Sequence, residues 1–125
     1  MSELKLIHKG KVRDLYAAGE KYLLIVSSDR ISAFDFILPT PIPGKGAILN
    51  KISAFWFGKT GDIIKNHMVA ADTGEIKAGL AGYDCTGLDW TELEGRAVLV
   101  RRTKRVDFEC IVRGYITGSG WKEYL

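Results

Sequence analysis

Four stretches of this chain hold side chains whose types and spacing could do chemistry. Gly10-Lys11-Val12-Arg13-Asp14-Leu15-Tyr16 sets two cations one residue apart behind a glycine. A glycine lets the backbone approach a phosphate closely, and flanking cations neutralise it. The stretch is not a Walker A loop, which needs GxxxxGK[ST] ahead of a helix. A hairpin turn with solvated cations is the alternative. Ser28-Asp29-Arg30-Ile31-Ser32-Ala33-Phe34-Asp35 gathers carboxylates, a guanidinium and hydroxyls in one short run. Loops on a rigid scaffold often carry binding residues. Asp35 stands between Phe34 and Phe36, which predicts a partly desolvated carboxylate held by donors. A polar loop making its own Asx and Ser turns is the alternative.

Pro43-Gly44-Lys45-Gly46 leads into an apolar segment. Backbone amides at a helix start bind anions, and Lys45 would assist, unless the segment is only a flexible lead-in. The fourth stretch runs from Glu109 to Gly120. Arg113 lies there among Ile111, Val112 and Ile116, so its charge must be paired or aimed at an anion. Its planar fork matches phosphate geometry. Ser119 adds a hydroxyl at a Gly-rich helix start, and together they make a candidate phosphate clamp. An Arg113–Glu109 ion pair on one strand face is the alternative, because residues four apart share a face at period two. No metal site is indicated: His8 and His67 have no partner spacing, and Cys85 and Cys110 read as two reduced thiols without a CxxC pattern.

These residues need elements to position them. Alternation over Leu4–His8 and Lys11–Tyr16, then the apolar run Tyr22–Val26 after Gly19-Glu20, predicts three short antiparallel strands. The third is apolar on both faces and reads as central. Pro39, Pro41 and Pro43 bar a regular ladder in the segment that follows. Ile48, Leu49, Ile52, Phe55 and Trp56 recur at three- and four-residue spacing, so residues 47–59 read as a helix with Trp56 in the core. Residues 62–95 read mainly as turns, with a short strand at Met68–Ala70 and a solvated charge cluster over Asp89–Glu94. Arg96–Arg102 and Phe108–Tyr115 read as two strands joined near Lys104–Asp107. A last helix follows the Gly-rich turn, with Ser119 near its N-cap.

The 125 residues fit one domain, and a formal net charge of +3 is mild. Residues 101–113 alone carry five cations against two carboxylates, a local field that suits an anionic partner. No apolar run is long enough for a membrane-spanning helix, and no secretory h-region is present. A helix that starts so near residue 125 reads as part of something longer. Two readings from other classes stay open at this point: a small basic β-rich module that binds nucleic acid, and a non-catalytic nucleotide-binding regulatory domain.

Taken in order, Gly10–Tyr16, Ser28–Asp35, Gly44-Lys45-Gly46 with Leu49-Asn50, and Glu109–Tyr115 with Thr117–Gly120 resemble the motifs of the SAICAR synthetase family. The resemblance runs from about residue 5 to the end. It implies an ATP- and magnesium-dependent ligase of purine biosynthesis. Such a ligase joins L-aspartate to carboxyaminoimidazole ribotide through an acyl phosphate, giving SAICAR, ADP and phosphate. It implies an α+β fold: an antiparallel sheet with a packed helix, similar to the small lobe of kinase-like or ATP-grasp-like ATP-binding folds. Residues 1–125 would be the N-terminal ATP-binding lobe, with the magnesium ligands in a C-terminal half and no activity in the segment alone. By position, Gly10, Lys11 and Arg13 would meet the ATP phosphates, and Thr103, Lys104 and Arg105 would form the hinge facing adenine. Asp35 would act in the substrate pocket, Glu109 would line it, and Arg113 and Ser119 would hold the ribotide phosphate. The partners implied are these small molecules and not a nucleic acid or membrane, in the cytoplasm, with homo-oligomerisation left open.

Overall fold

Alternation near the N-terminus becomes a meander. The computed structural model describes residues 2–108 and 110–125. A short β1 (Ser2–Glu3) precedes β2 (Lys5–Lys9), β3 (Arg13–Ala18) and β4 (Tyr22–Ser27). Lys9 pairs with Asp14 across the first turn, and Ala18 pairs with Tyr22 across the second. Gly19 reverses the chain at φ 59°, a conformation that glycine adopts without a Cβ penalty. The loop after β4 holds a minimal hairpin, β5 (Ser32–Ala33) with β6 (Phe36–Ile37). Then follow α1 (Lys45–Lys59), β7 (Met68–Ala70), α2 (Thr73–Gly79), β8 (Tyr83–Asp84), α3 (Trp90–Leu93), β9 (Ala97–Arg101) and α4 (Ser119–Tyr124).

The fold is α+β, and its main sheet is antiparallel in the order β2-β3-β4-β9-β7. β1 pairs separately with β8, in parallel. β4 is central, as its two-faced apolar run predicts. Leu24 opposite Leu99 and Val26 opposite Ala97 anchor the β4–β9 ladder. Ala18, Ala70, Ile76, Leu80 and Leu93 complete one buried cluster with them. No helix among the described residues is long and apolar enough to cross a membrane.

Three expectations are corrected. First, α1 forms where its periodicity predicts, but it faces the other way. Gly46 and Asn50 are buried, while Ile48, Ile52, Phe55 and Trp56 are exposed; Trp56 is not core. The reason is close approach. A Cβ on Gly46 would stand 2.3 Å from the Ser27 carbonyl oxygen, and Asn50 Nδ2 donates to the Gly95 and Ala97 carbonyls at 3.0 and 3.2 Å. Only small or hydrogen-bonding residues fit that seam.

Second, residues 62–95 are not only turns. Asp72 caps α2 through the Gly74 and Glu75 amides, and Asp89 caps α3 through the Thr91 and Glu92 amides. The Asp89 cluster is thus a helix start. Third, Phe108–Tyr115 forms no strand, and no hairpin forms at Lys104–Asp107, among the described residues. β9 is already paired on both sides, by β4 and β7. A strand that follows it through a short connection has no open edge to join.

Candidate functional site

Three of the four stretches converge on the tripeptide Ser28-Asp29-Arg30, which leaves the end of central strand β4. On one side it holds the β2–β3 turn. The Ser28 amide and hydroxyl both donate to the Val12 carbonyl at 2.9 Å. Arg30 donates from Nη2 to the Gly10 carbonyl at 3.0 Å and from Nε to the Lys11 carbonyl at 3.1 Å. The same guanidinium grips Asp14 with two bonds, of 2.6 and 3.2 Å. That pair is half-buried, and the Asp14 carboxylate holds the guanidinium above its ordinary pKa.

On the other side the tripeptide holds the start of α1. Asp29 accepts from the Gly46 amide at 2.8 Å and the Gly44 amide at 3.1 Å, and pairs with Arg96 at 3.2 Å. The Gly46 amide, with the Gly44 amide and Arg96, keeps this carboxylate below its ordinary value against the opposing pull of desolvation. Gly44 reaches its position at φ 79°. Lys45 Nζ donates to the Arg30 carbonyl at 3.0 Å. The amides expected to receive an external anion here therefore already serve the chain's own carboxylate.

Lys11 and Asp35 also meet, at 2.6 Å. Asp35 stands at φ 69° beside Phe34 at φ 47°, so the hairpin tip turns its carboxylate toward the β2–β3 turn. Desolvation does not explain its state, because Phe34 and Phe36 are exposed. The Lys11 ammonium lowers its pKa by hydrogen bond and charge. Arg13 opens β3, opposite Ser27.

The remaining candidates lie beyond β9. Arg113 Nη2 donates to Ser119 Oγ at 2.7 Å, so the two proposed clamp residues touch. Both are exposed, and Arg113 sits in irregular chain, not in an apolar strand. Thr103, Lys104 and Arg105 are exposed, and Arg105 pairs with Asp107 at 3.2 Å. Thr103 borders a cleft of 490 Å³ with Phe57, Ile64 and His67. Glu109 lies outside the described residues. Both cysteines are free, and burial raises the Cys85 thiol pKa.

The sequence reading passed over Asp14, Arg96 and the two helix caps. Asp14 and Arg96 act over long sequence separations and leave no local pattern. The caps did leave one: Asp72…Glu75 and Asp89…Glu92 each place an acceptor three residues before a glutamate, a helix-start signature.

Residues 6–125 match the family model described as SAICAR synthetase. A phosphoribosylaminoimidazole-succinocarboxamide synthase of Elusimicrobium minutum is 58% identical over 97% of this chain and 40% of its own length. The one of Thioalkalivibrio sulfidiphilus is 51% identical over 99% of this chain and 40% of its own. This chain thus spans about 40% of the length of these curated relatives. A solved SAICAR synthase of Saccharomyces cerevisiae, in complex with SAICAR, superposes with a TM-score of 0.82 at 44% identity, over 99% of this chain and 43% of that one. A family-model match over residues 6–125, a relative at 58% identity and a solved family structure that superposes over 99% of the chain agree: this chain belongs to the SAICAR synthetase family.

Proposed function

We propose that residues 1–125 act as the N-terminal ATP-binding lobe of a ligase that joins L-aspartate to carboxyaminoimidazole ribotide, with SAICAR, ADP and phosphate as products. The observation that carries this reading is a Gly10–Arg13 turn held by Arg30 on one side and met by Asp35 at Lys11, in a chain of this family. In this reading the lobe is kinase-like: the β2–β3 turn covers the triphosphate, and the cytoplasm supplies all three substrates. The ribotide carboxylate attacks the γ-phosphorus, ADP leaves, and the aspartate amine then displaces phosphate from the acyl phosphate.

Two anionic reactants must be brought together for the first step, so cations are the main requirement. Lys11 and Arg13 supply positive charge at the turn. Arg113 and Ser119 would hold the ribotide phosphate and keep its carboxylate in line. Asp35 would orient an ammonium, either that of Lys11 or the amine of aspartate. Thr103–Arg105 would flank adenine. Among the described residues no group of three or more His, Cys, Asp and Glu could hold a metal. In this reading the magnesium ligands belong to the C-terminal half that the family resemblance implies.

The test is calorimetric binding of ATP and of the ribotide to wild type, Lys11→Ala and Arg113→Ala. Losing a charge-assisted hydrogen bond should weaken the cognate ligand by about tenfold or more. Lys11→Ala should affect ATP selectively, and Arg113→Ala the ribotide selectively. Equal loss of both ligands in either variant would contradict the assignment.

A further inference from the structure

Arg30 lies between the Gly10–Arg13 turn and Asp14 and has no part in the proposed ligase chemistry. We infer that Arg30 is a positioning residue that shapes the Gly10–Arg13 turn into an anion-receiving surface. The identity of the anion, a nucleoside triphosphate, rests on the proposed function; the shaping of the turn does not.

The geometry is that of three successive carbonyls drawn to one side. Arg30 takes the Gly10 and Lys11 carbonyls, and Ser28 takes that of Val12. The chain has no cis peptide bond, so each amide N–H points opposite to the carbonyl of its own peptide unit. The Lys11 and Val12 amides must therefore point away from Arg30. Neither donates to another group among the described residues. Consecutive outward amides in a turn form a concavity that suits an anion. Lys11 and Arg13 border it in sequence, and Lys11 Nζ is paired with the Asp35 carboxylate at 2.6 Å.

Four of the five N–H donors of Arg30 are already engaged, by the two carbonyls and by both oxygens of Asp14. Arg30 is only about a quarter exposed. It therefore acts through the turn. A lysine cannot replace it, because one ammonium lacks the planar fork that spans two carbonyls and a carboxylate.

The experiment compares wild type with Arg30→Ala, Arg30→Lys and Asp14→Asn. It reads ATP affinity, adenosine affinity and amide exchange at Gly10, whose N–H donates to the Arg13 carbonyl at 2.7 Å. The expected result is ATP weakened by about tenfold, adenosine held within about twofold, and Gly10 exchange faster by about tenfold, with Leu24 and Leu99 exchange unchanged. Arg30→Lys should recover less than half of the logarithmic loss. Equal weakening of ATP and adenosine, or full rescue by lysine, overturns the inference. If the wild-type chain binds neither ligand, the nucleotide reading fails. Gly10 exchange alone then decides the shaping of the turn: acceleration in Arg30→Ala supports it, and no change overturns it. Asp14→Asn, which keeps the side-chain volume, answers the same question if Arg30→Ala does not fold.

Discussion

Asp29 shows how one carboxylate can hold two elements at once. Its two oxygens receive the Gly44 and Gly46 amides as well as Arg96. Its folded pKa lies below the ordinary 3.8, so the charged form favours the folded state. That contribution is complete above 3.8 and fades as pH falls from there through the lowered value. Asp29→Asn keeps an acceptor but removes the charge. Urea midpoints measured from pH 7 down to pH 3 should differ between wild type and variant at pH 7, and the gap should narrow on acidification. A gap independent of pH would show that Asp29 acts through shape alone. Pairs on open surface, such as Arg105–Asp107, should give no such signature because solvent screens them.

At the scale of elements, periodicity gave the strands and α1 but misassigned the buried face of α1. The hydrophobic pattern reports where apolar residues fall, not which side a neighbouring backbone approaches. The Gly46 seam was hidden because its partner, the Ser27 carbonyl, lies 19 residues away in sequence. The local chemistry of the Gly10 turn and the Ser28–Asp35 loop was legible, whereas the bonds between them were not. Among its described residues Phe108–Tyr115 forms no strand, because β9 is already paired on both sides and local propensity does not supply an open edge. The seam can be tested with a pair of glycines in one helix. Gly46→Ala meets backbone at 2.3 Å and should destabilise the chain by about 1–3 kcal/mol or more. Gly58→Ala has nothing within 4 Å and should stabilise it by about 0.5–1 kcal/mol. Chemical denaturation of both variants measures the contrast, and similar losses in the two would refute the close approach.

Over the whole molecule, polar function and apolar exposure lie side by side. Ile48, Ile52, Phe55 and Trp56 on α1 are all exposed, as are Phe108, Val112 and Tyr115 after the sheet. Isolated globular domains seldom leave so much large apolar surface open. The chain also spans about 40% of the length of its curated relatives. We therefore predict no aspartate-dependent turnover from this chain alone. A coupled ADP-release assay with ATP, the ribotide and aspartate checks it, and a rate typical of a ligase would contradict it.

The pairing of β9 on both sides divides the molecule energetically. Once the chain leaves Arg101, no further residue is buried among those described. Folding free energy thus resides in the first hundred residues, and the Arg113–Ser119 contact rides on them as an appendage. Brief protease treatment should cut between residues 102 and 118 first and leave a resistant fragment whose unfolding midpoint equals that of the intact chain. A shared loss of both parts would place the clamp inside the cooperative unit. With the two separable, the clamp proposed for the ribotide could change without disturbing the scaffold proposed to hold ATP.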